Sequence, residues 1–305
     1  MSTKHFIKDQ DQSKEEILSV IELAKNIKQS PADYSQALAG KSVVMLFEKP
    51  SLRTHISFDI GIQKLGGHAL YIGQQNGQLG QRERVKDVAL NLACWSDAIV
   101  ARVFEQSVLD ELAQHAGIPV INALSDLYHP CQAMADYLTI AENFDDLSKV
   151  TLAYVGDGNN VAQSLLLVAA ILGIEFKIVH PEGYGINGEI LDLSQSIAAS
   201  SGAKITITTD INALKNTDVI YTDTWISMGD DVKFDDIKSQ FMSYQVNESM
   251  MKLAGAKYFM HCQPAHLGQE ISESLFDSEY SLASQQAENR MWAQNAILVN
   301  LFSEK

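Results

Sequence analysis

Residues Lys41 to Gly67 read KSVVMLFEKPSLRTHISFDIGIQKLGG, a strand, a turn and a helix in direct succession. Val43, Val44, Met45, Leu46 and Phe47 form the apolar, β-branched run of a strand buried on both faces, as in a parallel sheet. Pro50 breaks that run, and Ser51 occupies the place of a helix N-cap. Phe58, Ile62 and Leu65 then recur at helical spacing, and Gly66-Gly67 stops the helix. Ser51, Arg53 and Thr54 therefore fall on a strand-to-helix turn. Free backbone N–H groups and the helix dipole favour an anion there, and Arg53 adds a fork that fits phosphate oxygens. The same residues also suit an ordinary capped helix with a solvent-facing arginine.

Around this unit the composition is that of a globular chain of about two domains. It has 305 residues, 46% hydrophobic and 20% charged. No apolar run approaches the roughly 20 residues that cross a bilayer. The opening MSTKHFIKDQDQSKEE is polar and of mixed charge, unlike a secretory signal. Cys94, Cys131 and Cys262 lie far apart, without zinc-site or disulfide spacing, which fits a reducing cytoplasm. A net charge of −15 argues against nucleic acid or an anionic membrane as partner.

Taken in order, a first helix is expected over Glu15 to Lys28, and HALYIG (68–73) is a short strand. A Gly/Gln-rich loop runs from Asn76 to Val85, long enough to suggest a functional lid. Helix Arg84 to Trp95, strand Ala98 to Val103, helix Ser107 to His115, strand Ile118 to Ala123 and helix Cys131 to Glu142 follow. Such alternation implies a parallel sheet covered by helices on both faces. AENFDDLSKV (141–150) is polar and lacks an apolar face, so the first domain is expected over 1–145. A second βα series over 146–284 has strands Thr151 to Val155, Phe176 to Val179, Ile205 to Thr208, Val219 to Thr222 and Tyr258 to His261. Its helices are Val161 to Leu172 and Ile190 to Ser200. A closing helix, about Ala287 to Phe302, carries Met291, Trp292, Ile297, Leu298 and Leu301; the segment 285–305 is expected to pack back on the first domain.

Open α/β sheets bind ligands beyond the carboxyl ends of their strands. Five strand ends here carry donors or a thiol: Arg102; His129, Pro130 and Gln132; Asp157, Asn159 and Asn160; Asp223, Ser227 and Met228; His261, Cys262 and Pro264. Each alone has a plain structural reading as an ion pair, a cap or an apolar filler. Their convergence favours a site. Gly156-x-Gly158 after a strand also suggests a dinucleotide turn. A third glycine is missing, and His180-Pro181 stands where an acid would follow the next strand. A nicotinamide-dependent enzyme is therefore the weaker reading.

Together these residues resemble the carbamoyltransferases, and within them the ornithine branch, over nearly the whole chain. Ser51-Leu52-Arg53-Thr54 is similar to the family's Ser-x-Arg-Thr carbamoyl phosphate loop. Arg102, His129-Pro130-Cys131-Gln132, Cys262, Gln263 and Arg290 (within AENRMW) resemble further carbamoyl phosphate contacts, and Gln78 one contributed by a neighbouring subunit. Asn160, Asp223 and Ser227-Met228-Gly229 resemble the ornithine-binding elements. The resemblance implies two doubly wound parallel-sheet domains with the site between them, and a cytoplasmic homotrimer with shared sites. Two departures stand out: His55 replaces a frequent second arginine, and Gln263 interrupts His-Cys-Leu-Pro. His55 is expected to weaken phosphate affinity or to make it depend on pH.

The implied reaction carries the carbamoyl group of carbamoyl phosphate to the side-chain amine of L-ornithine, giving L-citrulline and phosphate. Arginine synthesis and breakdown both use it. Ser51, Arg53, Thr54 and Arg102 would hold the phosphate. Arg53, Thr54 and His129 would polarise the carbonyl oxygen, and Gln132 would orient the carbamoyl NH₂. Asp223 and Cys262 would receive the amine, while Asn160, Ser227 and Met228 clamp the other end of the amino acid. Arg102, His129 and Cys262 are the expected catalytic residues. No metal or organic cofactor is called for. The alternatives are a sister enzyme acting on putrescine or a modified ornithine, and a binding-only relative.

Overall fold

The computed structural model describes residues 3–73, 78–226 and 231–303. The chain forms two compact units, 1–138 with 288–305, and 139–287. Each is built on its own parallel sheet.

In the first unit β1 (Ser42–Phe47) lies between β2 (His68–Ile72) and β3 (Ala98–Arg102), and β4 (Val120–Leu124) closes the order β2-β1-β3-β4. β1 and β3 are buried almost throughout, as their uninterrupted apolar sequences require. β2 is an edge strand, with Leu70 and Tyr71 exposed. α1 (Lys14–Gln29) starts with a full Ser13/Glu16 capping box and buries Ile17, Val20, Ile21, Ala24 and Ile27. α2 (Leu52–Lys64) follows β1, α3 (Val85–Trp95) follows the loop after β2, and α4 (Gln106–Ala116) joins β3 to β4. The N-terminal segment is tied to β4 by a buried amide network. Asn122 Nδ2 donates to the Ile7 carbonyl at 3.0 Å and to Gln106 Oε1 at 3.2 Å, and Ser125 Oγ donates to Gln106 Oε1 at 2.7 Å.

The second unit orders its strands β7-β6-β5-β8-β9, all parallel: β5 (Thr151–Val155), β6 (Glu175–Val179), β7 (Ile205–Thr208), β8 (Val219–Thr222) and β9 (Tyr258–His261). α6 (Asn160–Leu172) is apolar apart from Asn160, Gln163 and Ser164, and from Val161 onward it is buried on every side. α7 (Gly188–Ser201) follows β6. The shorter α8 (Phe234–Phe241), α9 (Glu248–Ala254) and α10 (Glu273–Phe276) fill the sequence around β9. Two long helices run from one unit into the other: α5 (Pro130–Asn143) and α11 (Ala283–Ser303).

Candidate active site

In the first unit the carboxyl ends of β1, β3 and β4 carry the expected anion-binding residues. Ser51 caps α2, its Oγ accepting from Thr54 N at 3.3 Å and lying 2.9 Å from Thr54 Oγ1. Arg290, on α11, reaches the same hydroxyl: Nη2 donates to Thr54 Oγ1 at 2.7 Å, and Nη1 donates to Gln132 Oε1 at 2.7 Å. A hydroxyl has one proton and two lone pairs. With Arg290 and Ser51 as donors, both lone pairs of Thr54 Oγ1 are filled, so the proton is what this hydroxyl has left to offer a ligand.

Arg102 ends β3 where the register slips at Ala101/Arg102, and its carbonyl accepts from Glu48 N at 2.8 Å. His129 precedes α5, its carbonyl accepting from Gln132 N at 2.9 Å and Ala133 N at 3.1 Å. Its buried imidazole is held well below the ordinary histidine value, chiefly by burial and then by the positive charges of Arg290 and Arg102. Those two arginines and His129 thus share one environment, and the ring there is neutral, able to donate a hydrogen bond without adding charge. Arg53 stands half-buried on the first turn of α2. Leu52 is exposed on the same turn. Burial pushes the Cys131 thiol far up, and its Sγ is spent on the Asn122 carbonyl at 3.2 Å, so it is inert filler.

Not every expected contact gathers here. Gln78 is exposed in its loop, its Oε1 accepting from Gln81 Nε2 at 2.6 Å. The loop is moored beside it, where Glu48 accepts from Leu79 N at 2.7 Å and from Phe104 N at 2.9 Å. A cavity of about 410 Å³ lies at this mooring, lined among others by Phe47, Glu48, Gly73, Gln78 and Arg82. His55 faces Tyr71, the rings stacked at 3.8 Å with 14° between their planes. These contacts give it a packing role.

The second unit holds the other set. Asp223, just beyond β8, is buried and accepts three hydrogen bonds: from Cys262 Sγ at 2.9 Å, Asn159 Nδ2 at 2.9 Å and Thr224 N at 2.8 Å. Asn159 also caps α6, its Oδ1 accepting from Val161 N and Ala162 N. Asn160 is the first residue of that helix. The residue bonded to Asp223 is therefore the cap itself, the first of the two asparagines read at this strand end. His261 is fully buried, with Nδ1 accepting from Gln263 N at 2.9 Å and Nε2 3.1 Å from Glu270 Oε1. It thus braces the turn that presents Cys262, in which Gln263 takes a φ of 60°. Ser227 and Met228 lie outside the described residues.

Asp223, His261 and Cys262 bring ligand-type atoms within 4.8 Å of one another. Both ring nitrogens of His261 are already engaged, however, so the trio offers a metal two ligands at most. The glycines of GDGNN are likewise taken up by the chain itself. A Cβ on Gly158 would come 2.5 Å from the Gly185 carbonyl carbon and oxygen, and Gly156, with a φ of 135°, lies against Trp225. Close packing explains that spacing without a dinucleotide.

Sequence reasoning missed Asp136, which accepts from Gln132 Nε2 at 2.8 Å, and Glu270. Both are fully buried carboxylates, but their partners stand four and nine residues away, a spacing with no chemical signature of its own.

Paired arginines, a capped helix start and a neutral histidine at the carboxyl edge of a parallel sheet define an anion-handling α/β enzyme. Residues 4–142 match the carbamoyl-P binding domain of the aspartate/ornithine carbamoyltransferases, and residues 148–301 match their Asp/Orn binding domain. The ornithine carbamoyltransferase of Shewanella oneidensis is 57% identical over 98% of this chain and 100% of its own. That of a Vibrio species is 52% identical over 98% and 99%. Among solved structures, the ornithine carbamoyltransferase from Pyrococcus furiosus superimposes with a TM-score of 0.95 at 40% identity, over 100% of this chain and 98% of that one. The chain belongs to the aspartate/ornithine carbamoyltransferase family, and is a carbamoyltransferase.

Proposed function

We propose that the protein transfers the carbamoyl group of carbamoyl phosphate to the side-chain amine of L-ornithine, releasing L-citrulline and phosphate. The observation that carries the choice of acceptor is the buried Asp223 carboxylate with the Cys262 thiol 2.9 Å away. A lone carboxylate fixed by neutral donors suits a cationic amine and repels an acidic acceptor. The names of the similar enzymes support the same acceptor.

In this reading Ser51, Arg53, Thr54 and Arg102 hold the phosphate, together with the backbone N–H groups at the start of α2. Leu52, Gln263 and Cys262 contribute at the margin, and Gln78 contributes from a neighbouring subunit. Arg290 acts through Thr54 and Gln132. Arg53, the Thr54 hydroxyl proton and neutral His129 stabilise negative charge as it grows on the carbonyl oxygen. Asp223 receives the ornithine ammonium, Cys262 helps its proton leave, and Asn160, Ser227 and Met228 hold the amino-acid end. The N–C bond forms as the C–O bond to phosphate breaks, and the departing phosphate takes the proton lost by the amine. The three cysteines are thiols, with Cys94 exposed, which supports a reducing cytoplasm as the setting.

A homotrimer is part of the proposal. α2 and the edge strand β2 leave Leu52 72%, Ile56 45%, Ile60 44% and Leu70 50% exposed, a face suited to a second copy. The test of function is a citrulline assay with carbamoyl phosphate and ornithine. Turnover with aspartate or putrescine and none with ornithine would reassign the acceptor. Binding of carbamoyl phosphate without any product would mark a binding-only relative.

A further inference from the structure

Both ends of the Gln132 side-chain amide are engaged, by groups of opposite hydrogen-bonding character. Its Oε1 accepts from Arg290 Nη1 at 2.7 Å, and its Nε2 donates to Asp136 Oδ1 at 2.8 Å. An arginine only donates and an ionised carboxylate only accepts. The pair therefore admits one orientation of an amide whose two ends are nearly alike in shape. Gln132 and Asp136 are fully buried and stand one turn apart on α5, where a reversed amide would leave polar groups unmet. The guanidinium that meets Oε1 also grips Thr54, so that oxygen is turned to the side of the phosphate residues.

We propose that Asp136 is a positioning residue for carbamoyl recognition: working against Arg290, it locks the Gln132 amide so that the second lone pair of Oε1 accepts from the carbamoyl NH₂. The inference rests on the carbamoyl phosphate reading above and adds the means by which the pocket tells an NH₂ group from a methyl group. Carbamoyl and acetyl phosphate are close in size and share the phosphate. Only the first offers N–H donors to a fixed oxygen. A site built to meet such a donor rejects the analogue that lacks it, because its own acceptor is then left dry.

The experiment compares dissociation constants of carbamoyl phosphate and acetyl phosphate for the full-length protein. Their ratio cancels any change in phosphate affinity, which a merely structural role for Asp136 would leave untouched. The wild-type protein is expected to favour carbamoyl phosphate by about tenfold or more, the scale of one well-placed hydrogen bond. Asp136→Leu should bring the ratio close to one, as should Gln132→Leu, and combining them should lower it no further. Should Asp136→Leu fail to fold, Gln132→Glu sets two acceptors against each other and should lose the preference. Adding Asp136→Asn restores a donor–acceptor pair and should recover it. The proposal is overturned by a wild-type protein without preference, by Asp136→Leu with the wild-type ratio, or by a double variant no better than Gln132→Glu. A wild-type protein that prefers carbamoyl phosphate yet makes no citrulline would sink the acceptor assignment and leave the role of Asp136 intact.

Discussion

Two side chains show how the pocket sets its protonation and its donors. His129 is neutral in the folded protein, because burial first and the arginine charges next oppose its protonation. In the unfolded chain it titrates at about 6.5. Between the folded and unfolded values the unfolded chain binds the extra proton, so stability falls as pH drops below about 6.5, by up to about 1.4 kcal/mol per pH unit. Above that value this group adds no pH dependence. His129→Gln, which has no proton to gain, should therefore lose less stability than wild type between pH 7 and pH 5.5, read from denaturant midpoints. Thr54→Val keeps the shape of its side chain but removes the hydroxyl proton and the acceptor for Arg290. Its KM for carbamoyl phosphate should rise at least about tenfold while the KM for ornithine holds. The unmet Arg290 donor should cost about 1–3 kcal/mol of stability. An unchanged KM would remove Thr54 from the phosphate set.

At the level of elements, two local packings keep the half-sites in shape. The stack of His55 on Tyr71 pins the first turn of α2 to the edge strand, with Phe47 edge-on to Tyr71 at 5.3 Å. His55→Ala should cost about 0.5–1.5 kcal/mol, and His55→Phe should restore most of it. A pH-dependent phosphate affinity that persists in His55→Phe would also show that this ring is not its source. In the second unit Gly158→Ala forces a Cβ into the Gly185 backbone, with an overpacking cost of about 1–3 kcal/mol. Asn159, the next residue, should shift with it and raise the KM for ornithine. Both parallel sheets were legible because their strands are long apolar runs between turn residues, and Ser51 announced α2 through capping chemistry. α8 and α9 escaped because they have 8 and 7 residues, too short for periodicity to declare itself. The grip of Arg290 on Gln132 spans 158 residues, and nothing local in either sequence encodes it. The tie of Asn159 to Asp223 likewise spans 64 residues, so spacing places both asparagines of GDGNN at the strand end but does not say which of them meets the carboxylate.

For the molecule as a whole, assembly is the property its surface raises most directly. A chain of net charge −15 resists association unless an apolar face outweighs that repulsion, and the α2–β2 face of the first unit is the candidate. Leu52 and Ile56 stand one turn apart on α2, both exposed. Leu52→Glu combined with Ile56→Glu should reduce the sedimentation mass of the proposed trimer to that of one chain without altering the secondary structure. Shared sites make a stricter demand. If Gln78 serves the neighbour while Arg53 serves its own chain, Arg53→Ala and Gln78→Ala homotrimers should each be nearly inactive. Dissociating and reassociating an equal mixture should then rebuild intact sites wherever a Gln78→Ala chain is served by an Arg53→Ala neighbour, roughly a quarter of the total in a closed ring. Recovery to about that fraction of wild-type activity would establish sites built from two chains. Hybrids no more active than their parents would confine each site to one chain and leave the exposed Gln78 without a role in binding.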